Sequence, residues 1–284
     1  MNRLAARYLP RLAARYSPRY SPHFAARVAG PLAAMLLAIA VVAPTLASTA
    51  PPSRPGTSPI VAQAEVGPGA ARCAADRLAA RANPTVANLQ ALGYCEIDRR
   101  LTTIDRLASA VDQGGVLTDD HAAALKTILR NSRTGLAELR GKIAGETTVA
   151  AVKEDIRHIF TDYRIYALVT RQVVLVRADD RVGAAVVRLN KAAGRVSDAI
   201  ARAQSNGKDV TAAQGHLIAM KAAISAATDQ VSGDAANVLA QTPATWNAGT
   251  AKPVLDAARA SVSAAQADLR TAVADGKAAL AALR

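Results

Sequence analysis

The chain has 284 residues, 51% of them hydrophobic but only 3% aromatic, and a formal charge of +13. So few rings starve a large globular core, while abundant alanine favours helix, which points to an all-α protein of one or two domains.

Much of the positive charge belongs to the start of the chain. Residues 1–64 hold seven arginines (Arg3, Arg7, Arg11, Arg15, Arg19, Arg27, Arg54) and no acid; the first is Glu65. Without those seven charges, +13 falls to +6. Arg3 to Tyr8 is repeated as Arg11 to Tyr16, and an uncharged apolar run follows from Leu32 to Ala43, then small residues through Ala50. Basic region, apolar core and small-residue site make a secretory signal peptide over 1–50, with cleavage expected after Ala47 or Ala50. The alternative is an uncleaved anchor over Val28 to Ala50, since the run of 12 is short for a span of about 20 residues. Prolines and glycines at 51–69 read as a linker. A mature charge of +6 favours anionic surroundings such as wall polymers or phospholipid head groups.

Residues 70–160 read as an N-terminal helical region. Cys73 and Cys95 are the two cysteines. Past an export signal the expectation is a disulfide between them, closing a hairpin of two short helices that turns at Asn83-Pro84. A metal site or a redox pair is less well supported, because no histidine is near and no C-x-x-C exists. Leu101, Ile104, Ala108 and Val111 mark an amphipathic helix ended by Gly114-Gly115. Thr118 caps the next helix, which carries Leu125, Ile128, Leu136, Leu139 and Ile143 and stops at Gly145. Thr148 opens a third with Val149, Val152, Ile156 and Ile159.

From Phe160 to Val176 aromatic and β-branched residues lower helix propensity. Either one helix runs from Thr148 to Ser205, or the chain breaks in a junction over 161–170 and Thr170 caps the next helix; the heptad phase favours the break. Asp162-Tyr163-Arg164-Ile165-Tyr166, with Thr242-Pro243-Ala244 and Asn247 further on, resembles a group of uncharacterised secreted helical proteins of high-GC Gram-positive bacteria over about residues 95–284. The resemblance implies an extracytoplasmic, all-helical protein and no particular activity. Those proteins often carry proline where Arg171 stands here, which leaves a continuous helix open.

Three ladders at seven-residue spacing fill the rest: Leu175, Val182, Leu189, Val196, Ala203; Val210, Leu217, Ile224, Val231, Val238; and Leu255, Val262, Leu269, Gly276, Leu283. Such repeats make apolar seams that pack knobs into holes. The expectation is an elongated antiparallel three-helix bundle over about 171–284, preceded by the shorter helical region and a disordered export leader. Asn206-Gly207 and Thr242-Pro243 are its turns, Asp209 and Thr250 its caps. Each helix would run about 33 residues, or roughly 50 Å.

Motifs for catalysis are missing: no G-x-G-x-x-G, G-x-x-x-x-G-K-[ST], H-E-x-x-H or G-x-S-x-G occurs. Glu154, His158 and Asp162 fall at i, i+4 and i+8, a candidate metal strip that reads more simply as a charged helix face. Tyr163, Arg164, Tyr166 and Trp246 are candidate contact residues. Arg157, Arg164, Arg171, Arg177 and Arg181 with Tyr163 and Tyr166 imitate a nucleic-acid strip, but Asp155, Asp162, Asp179 and Asp180 punctuate it and no nucleic acid is expected. No cofactor is indicated. The function expected is a non-enzymatic exported rod, acting as scaffold, spacer or binder of an envelope protein or anionic wall or membrane polymer. The alternatives are a bundle that holds a small ligand or metal and self-association along the slim seams.

Overall fold

Caps and apolar stripes place the helices. The computed structural model describes residues 73–113 and 115–284, all in the unit Ser53–Arg284. The expected signal peptide and linker lie outside the described residues, as does Gly114. The fold is all-α, with no strand among the described residues.

Helix α1 (Ala74–Ala82) ends at extended Asn83. The hydroxyl of Thr85 accepts from Asn88 N–H at 3.2 Å and caps α2 (Val86–Asp112). Contrary to the expected short helix, α2 runs unbroken for 27 residues. Its interior contains no proline, and its one glycine, Gly93, serves packing. A Cβ there would meet Ile143 Cδ1 at 3.1 Å, so the missing side chain lets α3 (Asp119–Gly145) come close. Thr118 caps α3 and Thr148 caps α4 (Val149–Thr161), each hydroxyl accepting an N–H three residues on at 3.3 Å. Gln90 Nε2 closes the far end of α3 by donating to Ile143 O at 2.9 Å and Glu146 O at 3.2 Å. Carbonyls in the last turn of a helix lack the usual partner four residues on, and Ile143 O otherwise has only the long 3.4 Å bond from Glu146 N–H.

The chain breaks after Thr161. Asp162 ends α4, and Arg164 adopts φ 43°, the only non-glycine with positive φ among the described residues. A π-helical turn, Ile165–Val169, then runs directly into α5 (Thr170–Ser205). Thr170 is therefore not a cap: its dihedrals are helical, and its hydroxyl donates back to Ile165 O at 2.9 Å.

Helix α5 packs with α6 (Thr211–Val231) and α9 (Ala251–Ala281) as the three-helix bundle. Leu175, Val182, Leu189 and Val196 are buried, as are Val210, Leu217 and Ile224, and Leu255, Val262 and Leu269. Alanines fill the companion rows; Ala258, Ala265, Ala272 and Ala279 are all buried. The rung at Gly276 is not a gap, because Met220 Sδ lies 3.0 Å from where its Cβ would be.

One helix is shorter than the ladders suggest. Helix α6 stops at Val231, Gly233 turns at φ 81°, and the chain continues as α7 (Asp234–Leu239) and α8 (Pro243–Asn247). A glycine in the left-handed region costs nothing sterically, so the apolar period survives the interruption of the helix. Val238 remains buried, but on α7. Thr250 precedes α9 without a side-chain cap and donates instead to Thr245 O at 3.1 Å.

Helices α2 and α3 rest on the π turn and α5, α3 also meets α7, and α1 and α4 pack on α2, around a contiguous apolar core that includes Ile97, Ile104, Leu136, Ile159, Leu168, Val176, Val238 and Leu255.

Candidate functional site

The chemically richest place is where α1, α2, α4 and the π turn meet. The Cys73–Cys95 disulfide, with a Cα–Cα distance of 5.8 Å, joins α1 to α2. One residue later Glu96 is 1% exposed and takes three guanidiniums. Arg99 Nη2 donates to it at 2.6 Å and Arg100 Nη1 at 2.7 Å, and Arg77 of α1 completes the group. Arg100 is also 1% exposed, with its guanidinium 4.4 Å from the Phe160 ring and 5.2 Å from the Tyr166 ring. Arg99 lies 4.7 Å over Tyr166.

Burial alone would raise the Glu96 carboxyl, but the hydrogen bonds from Arg100, Arg99 and Arg77 outweigh it and hold the carboxyl below its ordinary value. Burial pulls the Arg100 guanidinium down against the opposing attraction of Glu96. Arg100 Nη2 and the Tyr166 hydroxyl are buried without a hydrogen-bond partner. The arrangement orients and holds charge; it contains no nucleophile beside a base.

A second group joins α3, α5 and α7. Asp180 of α5 accepts from Thr118 N–H at 2.9 Å and sits 2.9 Å from His121 Nδ1, fixing the start of α3. Beside it, burial and then the charges of Asp180 and Asp234 raise the Asp179 carboxyl to about 6. Buried Gln172 finishes the joint, donating to Val238 O and Gln241 O, both at 2.9 Å.

Glu154, His158 and Asp162 do share a face. His158 Nδ1 is 2.8 Å from Asp162 Oδ2 and its Nε2 is 3.3 Å from Glu154 Oε1, while Arg157 also binds Glu154. Two carboxylates flank one imidazole at the surface, and no group of three or more His, Cys, Asp or Glu among the described residues is arranged to hold a metal ion. The expected contact residues are structural neighbours. The Tyr163 side chain lies over Gly135, where a Cβ would meet its hydroxyl at 2.6 Å. Arg164 reaches Asn247 across 83 residues at 2.8 and 2.6 Å. Tyr166 belongs to the charge cluster, and Trp246 packs at the edge of the core with Arg171 6.0 Å over its ring.

The buried charges at Glu96, Arg99 and Arg100 escape a reading by pattern, because Glu-Ile-Asp-Arg-Arg looks like an ordinary solvated helix face. The one signal was the neighbouring Cys95, which commits that face of α2 to α1. Compared with known proteins, the chain matches no family model, no curated protein and no solved structure.

Proposed function

We propose that this is an exported, non-enzymatic helical protein that serves at the cell envelope as a scaffold or polyanion-binding module. One observation carries the reading: past Asp180, apart from a carboxylate oxygen of Asp234 on α7, the side chains buried among the described residues are apolar. A bundle built to hold a small ligand or metal places polar groups inward, and here the three seams close on one another instead. The disulfide supports an oxidising destination, and the basic, apolar and small-residue succession at the start supplies the route.

The test is fractionation of cells expressing the full chain, with thiol labelling before and after reduction. The reading expects the protein in the envelope or medium, with Cys73 and Cys95 labelled only after reduction. A cytosolic protein with both thiols reactive at the outset overturns it.

A further inference from the structure

Arg181, Arg188, Arg195 and Arg202 stand at seven-residue intervals along α5, all exposed and without an ion pair among the described residues. At 1.5 Å per residue the row is roughly 31 Å long. Between it and the buried Leu175–Val182–Leu189–Val196 row lies the row of Arg171, Ala178, Ala185 and Ala192. Arg171 pairs with Asp256 of α9, so this side of α5 faces α9. On α9 the row of Asp256 itself continues, at multiples of seven, as Arg270, Lys277 and Arg284, all exposed.

The acids of α9 lie elsewhere. Asp268 and Asp275 occupy the other flank, where Asp275 meets His216 of α6 at 3.4 Å. Asp256 is already neutralised by Arg171 and Lys252. Asp198 stands three residues after Arg195 and four before Arg202, a surface neighbour of both, yet it forms no ion pair with either in the structure. Beyond the Arg171–Asp256 pair, the groove between α5 and α9 is therefore walled by cations on both sides.

We propose that this groove binds a linear, phosphate-bearing polyanion laid along the helices. The inference rests on the polyanion-binding form of the function above and names its face and ligand class. Guanidiniums bind phosphate in a two-pronged geometry, and cation rows on two packed helices run alongside each other as the charges of a linear polyanion would. The rows carry no exposed aromatic or leucine, and the one exposed large apolar residue in line with them, Val174, is a single valine at the end of the arginine row, too little to enter a bilayer interface. Unpaired arginines over so long a row repel one another, and a polyanion removes that repulsion while releasing its own counterions.

The test titrates the full chain with long-chain inorganic polyphosphate and, separately, with anionic phosphatidylglycerol vesicles at several salt concentrations. Two variants remove the same charge: R181Q/R188Q/R195Q/R202Q in the groove, and R106Q/R130Q/K153Q/K221Q elsewhere on the surface. Circular dichroism checks that both keep their helices, and R270Q/K277Q probes the α9 wall independently. The expected result is polyphosphate binding that weakens with salt, drops at least about tenfold in both groove variants with a shallower salt dependence, and changes less than about threefold in the control. Equal losses in groove and control variants, no polyphosphate binding, or groove-dependent binding to vesicles alone overturns the proposal. Envelope location with a disulfide but without polymer binding overturns this inference alone and leaves the scaffold reading standing.

Discussion

Arg164 donates from Nε and Nη2 to the side-chain oxygen of Asn247, at 2.8 and 2.6 Å, and Asn247 returns a bond from Nδ2 to Thr161 O at 2.9 Å. The exchange ties the end of α4 to α8 across more than eighty residues. It also holds Arg164 in a left-handed conformation that costs a non-glycine residue roughly 1–2 kcal/mol. Asn247→Ala should lower stability by about 1–2 kcal/mol in urea unfolding. In an Arg164→Gly background, where the strain and the bonds from Arg164 are gone, the same change should cost less, because only the bond to Thr161 O remains to be lost. Equal costs in the two backgrounds would show that the pair is not coupled.

Glu96 is the counter-charge to Arg99 and Arg100, all three buried. Glu96→Gln keeps the shape and removes the charge, stranding two guanidiniums in the core. A loss of about 3–5 kcal/mol is expected, read by chemical denaturation at pH 7. A change below about 1 kcal/mol would mean that solvent reaches the cluster.

Acidity should move stability in two opposite directions. Asp179 is raised to about 6 in the folded chain, so its protonated form is favoured there. Stability is highest below the unfolded carboxylate value and declines as the pH rises through about 6, by an amount on the order of 1–2 kcal/mol after allowance for partial exposure. Glu96 is lowered, so its contribution is present above the ordinary carboxylate range and disappears as the pH falls below it. Thermal melts from pH 3 to 8 should therefore peak in mildly acidic buffer. Asp179→Asn should flatten the alkaline side and leave the acidic side unchanged.

Reduction of Cys73–Cys95, or its replacement by serines, frees a segment separated by 22 positions. The loss expected from the chain entropy of such a loop is about 3 kcal/mol. Because Arg77 rides on α1, the double variant should also weaken the Glu96 cluster. Glu96→Gln should then cost less than in the disulfide-bonded chain, as a double-mutant cycle would register.

Met220, 1% exposed, covers Gly276. Met220→Ala leaves a cavity in an alanine-rich seam that has few long side chains able to collapse into it, and should cost about 2–4 kcal/mol. Gly276→Leu, which restores the seven-residue ladder on paper, should destabilise the bundle because Met220 already fills that space. Both are measured by thermal unfolding.

The bundle was legible because its signal is repetitive. Leu175 to Val196 and Leu255 to Leu269 repeat every seven residues, and a helix obeying that period buries one side whatever its neighbours are. The caps at Thr118 and Thr148 were legible for the same local reason. Two kinds of feature were not. Gly233 interrupts α6 without disturbing the apolar period, since Val231 and Val238 are seven residues apart whether or not the helix continues. Glu96, Arg99 and Arg100 are polar in type but buried by partners on α1, α4 and the π turn. That burial is tertiary, set by Cys73, Phe160 and Tyr166, and no local spacing encodes it. The strip Glu154–His158–Asp162 shows the reverse: its alignment was legible, while its chemistry depended on what lay opposite, which is solvent.

The interruption at Ser232–Gly233 also divides how the molecule should breathe. The contiguous apolar core reaches Val176 on α5 and Ala258 on α9, on the side of that turn where α7 packs; beyond it lie narrow layers of alanine, valine and isolated leucines. Amide protons around Leu189, Leu217 and Leu269 should therefore exchange through partial openings well below the global unfolding free energy, while those around Ile97, Leu136 and Val176 wait for the whole chain to unfold. One end of the fold works as an anchor block, and the other as a zipper able to part from its tip.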